Sequence, residues 1–95
     1  MITEYILTFK NTNFVIKAEQ SLLANKIKTR VMPLPSQISA GCGLCLRIDY
    51  NKIESALGIL EEKNINEIGL FSRMNREDKF QYEELSKTCL TGKME

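Results

Sequence analysis

Apolar and polar residues recur along this chain in two rhythms, and the switches between them mark its elements. Residues 4–9 (E-Y-I-L-T-F) are rich in aromatic and β-branched side chains and nearly free of charge, which predicts a central β-strand. The polar K-N-T-N that follows holds Asn11 and Thr12, either of them suited to cap a helix running to about Ala24. Val15, Ala18 and Leu22 fall at i, i+3 and i+7, with Phe14 and Leu23 beside them, so one face of that helix is apolar. Asn25 is placed to take the left-handed conformation that ends it, with Ile27 folding back as the apolar contact. Residues 28–34 (K-T-R-V-M-P-L) read as a second strand. Pro33 has no N–H to give to a ladder, which places that strand at a sheet edge or ends it there.

Residues 35–43 are loop by composition. Leu44, Leu46 and Ile48 then alternate with Cys45 and Arg47, the period of a third strand. Asp49 is expected to cap a second helix with a clean stripe of Ile53, Ala56, Leu57 and Leu60, weakened modestly by Gly58. Asn64-Ile65 closes it as the first helix closed, and residues 67–72 (E-I-G-L-F-S) form strand four. Beyond Ser72 the chain is polar, with a short helix expected around residues 77–87. It would bring Phe80, Glu84 and Lys87 together.

The order is therefore β-α-β-β-α-β, an α+β, ferredoxin-like arrangement with two helices on one face of a four-stranded antiparallel sheet. Residues 1–72 would form this single domain and residues 73–95 a C-terminal tail. Right-handed crossovers put strand three between strands one and two. The connection between Pro33 and Gly43 then lies at the same end of the sheet as the turn into helix one, near Lys10, Asn11 and Thr12.

Composition narrows the chemistry. Ninety-five residues suit one small domain with little surplus stability. A net charge of +1 gives no global field toward nucleic acid or an anionic membrane, so neither is expected as a partner. The basic run of Lys26, Lys28 and Arg30 lacks interleaved aromatics and reads as solvated surface. The opening Met1-Ile2-Thr3-Glu4 has neither a basic region nor an apolar block, so no secretory signal is expected. Three cysteines cannot make a complete set of internal disulfides, and a reduced cytoplasmic location follows as the simplest expectation. With no histidine, Ser-His-Asp and Cys-His pairs cannot form within the chain, and no cofactor or metal is called for.

What remains unexplained by core building is residues 31–48, V-M-P-L-P-S-Q-I-S-A-G-C-G-L-C-L-R-I, which hold both prolines and two of the three cysteines. Cys42 stands between Gly41 and Gly43, after Ser39 and Ala40. Glycine permits positive φ and close backbone approach, and successive amides or a nearby helix N-terminus favour thiolate. Cys42 is thus a candidate nucleophile or carrier sulfur, against the plainer reading of a small buried residue opening a strand. Cys45 lies three residues on, and in a regular strand i and i+3 face opposite ways, which disfavours a disulfide unless Gly43 introduces a bulge. It shares a face with Arg47, away from the helices, and its plainer reading is a small residue on the open face or in a dimer contact there. Cys89 falls in the tail. A structural zinc site would want more ligands than three thiols supply, leaving soft-metal binding by the C-x-x-C as a minor alternative.

The segment Tyr5–Phe9, the first helix and above all P-L-P-S-Q-I-S-A-G-C-G-L resemble the small bacterial family called putative selenium/sulfur carrier protein-like, over roughly residues 4–71. The resemblance implies a stand-alone domain tied to selenium and sulfur metabolism, a carrier protein rather than an enzyme. Its loop cysteine, here Cys42, would hold sulfur or selenium as a persulfide or perselenide. Outside what the resemblance itself implies, the carrier reading makes Cys45 a candidate resolving thiol that releases the cargo by disulfide exchange, with Pro33, Pro35, Ser39, Ala40, Gly41, Gly43, Asn11 and Thr12 around the site. Donor and acceptor proteins are the implied partners. The alternative is a non-catalytic module binding a small molecule or pairing through its open sheet face.

Overall fold

The computed structural model describes residues 2–38, 42–65, 68–77 and 79–85. Its elements are β1 (Ile2–Thr8), α1 (Thr12–Ala24), β2 (Thr29–Pro33), β3 (Leu44–Asp49), α2 (Ile53–Glu62), β4 (Gly69–Arg76) and β5 (Lys79–Leu85). The strands form one sheet in the order β2-β3-β1-β4-β5, with antiparallel pairing throughout. The nearly uncharged β1 is central, β3 lies between β1 and β2, and β2 is an edge. No helix among the described residues is long and apolar enough to cross a membrane.

The sheet has five strands where four were expected. β4 runs on to Arg76, and residues 79–85 form a strand where a short helix was expected around residues 77–87. The reason lies in K-F-Q-Y-E-E-L, where Phe80 and Tyr82 alternate with polar residues and so share one face of a strand. Arg73 makes the charged continuation of β4 tenable. Its guanidinium stacks 3.7 Å from the Phe80 ring centroid and pairs with Glu4 at 3.2 Å.

Both helices bury the stripes read from their spacing: Val15, Ala18 and Leu22 on α1, and Ile53, Ala56, Leu57 and Leu60 on α2. These pack with Tyr5, Leu7, Phe9, Leu46, Ile48 and Leu70 from one face of the sheet. Phe14 packs against this core as expected, whereas Leu23 is exposed. Asn11 caps α1, its side chain accepting from the Phe14 N–H at 3.0 Å. Asp49 does not cap α2. It precedes a 3-10 turn, Tyr50–Lys52, and makes no side-chain capping bond.

The helix ends share one geometry. The Ile27 N–H reaches the Leu22 carbonyl and the Lys26 N–H that of Leu23, and Ile65 and Asn64 repeat this onto Leu60 and Glu61. This is the Schellman arrangement, whose residue after the cap must be left-handed. Asn64 takes that role with φ 61, as anticipated, but at α1 it falls to Lys26 with φ 64 rather than to Asn25. Asn25 is instead the cap residue, and its side chain donates to the Ser21 carbonyl. A lysine pays a Cβ penalty at that φ which glycine avoids. Lys26→Gly is therefore expected to stabilise the protein by about 0.5–1 kcal/mol, read as a raised urea midpoint at unchanged slope.

Candidate functional site

Strand register gathers the candidate residues at one end of the sheet. Thr8, the last residue of β1, is opposite Cys45 on one side and Gly69 on the other, and Pro33 at the end of β2 is opposite Leu44. The turn into α1 and the start of β3 thus share that end. The Leu34 N–H donates to the Gly43 carbonyl at 2.9 Å, closing the connection at its base. By the alternation of antiparallel ladders, Pro33 and Leu44 then form a non-hydrogen-bonded pair. Pro33 therefore occupies an edge position where β3 asks for no N–H. Gly43 has φ +86, the left-handed region that favours glycine, immediately after Cys42.

The connection folds back across the sheet face turned away from the helices. A turn closed by Ile38 N–H to the Pro35 carbonyl (2.9 Å) brings Ile38 onto Ile6 and Cys45, all three buried. Met32, Leu34, Phe71 and Tyr82 pack around them. Closing a loop of this length costs about 2 kcal/mol, and burying an isoleucine returns about 1.5–3 kcal/mol. Ile38 thus offsets the closure, and the packing of Met32, Leu34, Phe71 and Tyr82 around it supplies the margin that keeps the loop down.

The two thiols are placed differently. Cys42 is half-buried and packs against the helix-side core, its Sγ 3.9 Å from the Leu44 carbonyl oxygen. Cys45 is fully buried in the cluster on the opposite face, its Sγ 3.6 Å from the Met32 carbonyl and 3.8 Å from that of Pro33. Both are free thiols. Burial pushes the Cys45 thiol up to about 11; the Arg73 guanidinium opposes this and Cys42 adds to it. The two carbonyls that accept from the thiol act in the same sense, because only the protonated form can donate to them.

On the same sheet face, Glu4 bridges two guanidiniums, Arg47 at 3.1 Å and Arg73 at 3.2 Å. Of these two guanidiniums, that of Arg73 is the charge that opposes the rise at Cys45. Among the described residues, no group of three Cys, Asp or Glu side chains converges as a metal site would require.

Of the predicted site residues, Cys42, Gly43, Pro33, Asn11 and Thr12 fall at one end of the sheet. Pro35 supplies the carbonyl that holds Ile38, and Asn11 is committed to capping α1. Ser39, Ala40 and Gly41 lie outside the described residues, as does Cys89. Sequence reasoning passed over Ile38, Leu34 and Met32, which fasten the loop over Cys45. Two signals pointed to them. Ile38 is a lone large apolar residue amid polar and small neighbours, and β1 is apolar on both faces, the mark of a strand covered on two sides.

A family model described as "Putative Se/S carrier protein-like" matches residues 4–72, more than two thirds of the chain. No curated protein and no solved structure matches the chain.

Proposed function

Because the chain belongs to the Se/S carrier protein-like family, we propose that it carries sulfur or selenium covalently on Cys42. The observation that carries this assignment is the contrast between the thiols. Cys42 is half-buried beside a left-handed glycine at the mouth of a fastened loop, while Cys45 is sealed and held protonated. In loading, the Cys42 thiolate attacks the outer sulfur of a persulfide on a donor protein. The donor S–S bond breaks, the donor leaves as thiolate with the electron pair, and the transferred sulfur keeps its proton. Delivery runs the same exchange with an acceptor thiolate attacking the outer atom. Cys45 serves packing and not resolution in this reading. The order β2-β3-β1-β4 with both helices on one face supports reading the first four strands as a ferredoxin-like unit, extended by β5.

The test is mass spectrometry of the intact protein after incubation with a desulfurase and cysteine, or with reduced selenite. In a Cys89→Ser background the protein is expected to gain one sulfur or selenium atom. Cys45→Ala should retain the gain and Cys42→Ser lose it. An adduct of unchanged yield in Cys42→Ser sinks the assignment.

A further inference from the structure

We infer that the outer edge of β5 pairs with the same edge of a second copy of this chain, antiparallel and centred on Gln81. The two free edges of the sheet differ. β2 ends in Pro33 and carries Arg30 with Lys28 just before it and no acid, so self-pairing there would set like charges together. β5 reads K-F-Q-Y-E-E-L and contains both signs.

The backbone of β5 presents the needed groups. Two residues separate the paired Arg76 and Lys79, and Glu77 has φ 52, as in a tight hairpin that closes on a hydrogen-bonded pair. Alternation from that pair turns the backbone of Lys79, Gln81 and Glu83 toward β4 and that of Phe80 and Tyr82 outward. Only registers centred on a residue keep both copies' side chains on their own faces. Centring on Gln81 places Phe80 opposite Tyr82 of the second copy, so the outward residues exchange backbone hydrogen bonds with one another. It places Lys79 opposite Glu83 of the second copy, and symmetry repeats both pairs. Centring on Tyr82 would oppose Lys79 to Leu85, Phe80 to Glu84 and Tyr82 to Tyr82, with no charge pair. The sequence of β5 is thus self-complementary in charge in one register.

The side chains are available for it. Phe80 is 43% exposed, and Lys79, Gln81 and Glu83 are exposed. Arg73 lies against the Phe80 ring at 3.7 Å, so one face of the ring is already packed. Phe80 and Tyr82 also line a shallow groove with Gln37, which puts the paired edges beside the loop that Ile38 fastens.

Sedimentation velocity on the full chain at about 100 μM tests this, a concentration suited to an interface smaller than a permanent one. The wild type is expected to show a dimer. Lys79→Glu and Glu83→Lys each turn two attractive pairs into repulsive ones and should weaken it at least about tenfold. An equimolar mixture of the two variants restores opposite charges at both pairs and should recover a mixed dimer. A monomeric wild type, variants that dimerise as well as the wild type, or a mixture that stays monomeric would each overturn the pairing.

Discussion

Raising the pH from 8 to 11 is expected to remove about 2 kcal/mol more stability from the wild type than from Cys45→Ala. The Cys45 thiol rises from 9.0 to about 11 in the folded chain because it is fully buried. Between those values the folded protein keeps a proton that the unfolded chain has released. A raised folded-state value contributes stability that is whole below the unfolded value and disappears as pH passes the folded one, so the loss falls between about pH 9 and 11. Lysines and tyrosines titrate in the same window, which is why the comparison is a difference between two curves. Urea denaturation at intervals of pH measures it. Parallel curves for the two proteins would show that Cys45 does not remain protonated in the fold.

Ile38→Ala should expose Cys45 without unfolding the protein. The substitution removes about 2–4 kcal/mol of packing from the seated loop and raises its open population by the corresponding factor. The helix-side core involves none of the residues in the Ile38 cluster, so the loop opens while the two helices and the sheet stay assembled. With Cys42 and Cys89 replaced by serine, reaction of Cys45 with a thiol reagent is expected to accelerate by about 30–1000-fold at pH 8. Far-UV circular dichroism should be unchanged. Ile16→Ala, which trims an exposed side chain, should leave the rate alone. If Cys45 reacts no faster in Ile38→Ala, the loop is held by something other than that contact.

The parts of the molecule that periodicity describes were legible in the sequence. The helix stripes, the central β1 and the edge position demanded by Pro33 all follow from spacing and from one missing N–H. What escaped depends on contacts between distant segments. Residues 79–85 contain enough acid and amide to read as tail or helix, and only the Arg73–Phe80 stack and the β4 ladder select the strand. Lys26 in a left-handed conformation contradicts its own preference, and the Ile27 contact with the core overrides it. At the site, Cys42 stood out because Gly43 needs a positive φ. Burial of Cys45 could not be read, because it depends on Ile38 arriving from seven residues upstream over a loop.

Cys42, two residues before β3, and Cys45 within it pack on opposite sides of the sheet, one against the helix-side core and one under the loop. If Cys42 carries a chalcogen, the strand acts as a partition between cargo and the nearest thiol. Cys45 then offers the cargo no way out by ring closure, and that route stays shut for as long as the loop is seated. The lifetime of the loaded form would be set by whichever outside nucleophile reaches the loop mouth, making unloading a property of the encounter and not of the carrier's own redox state.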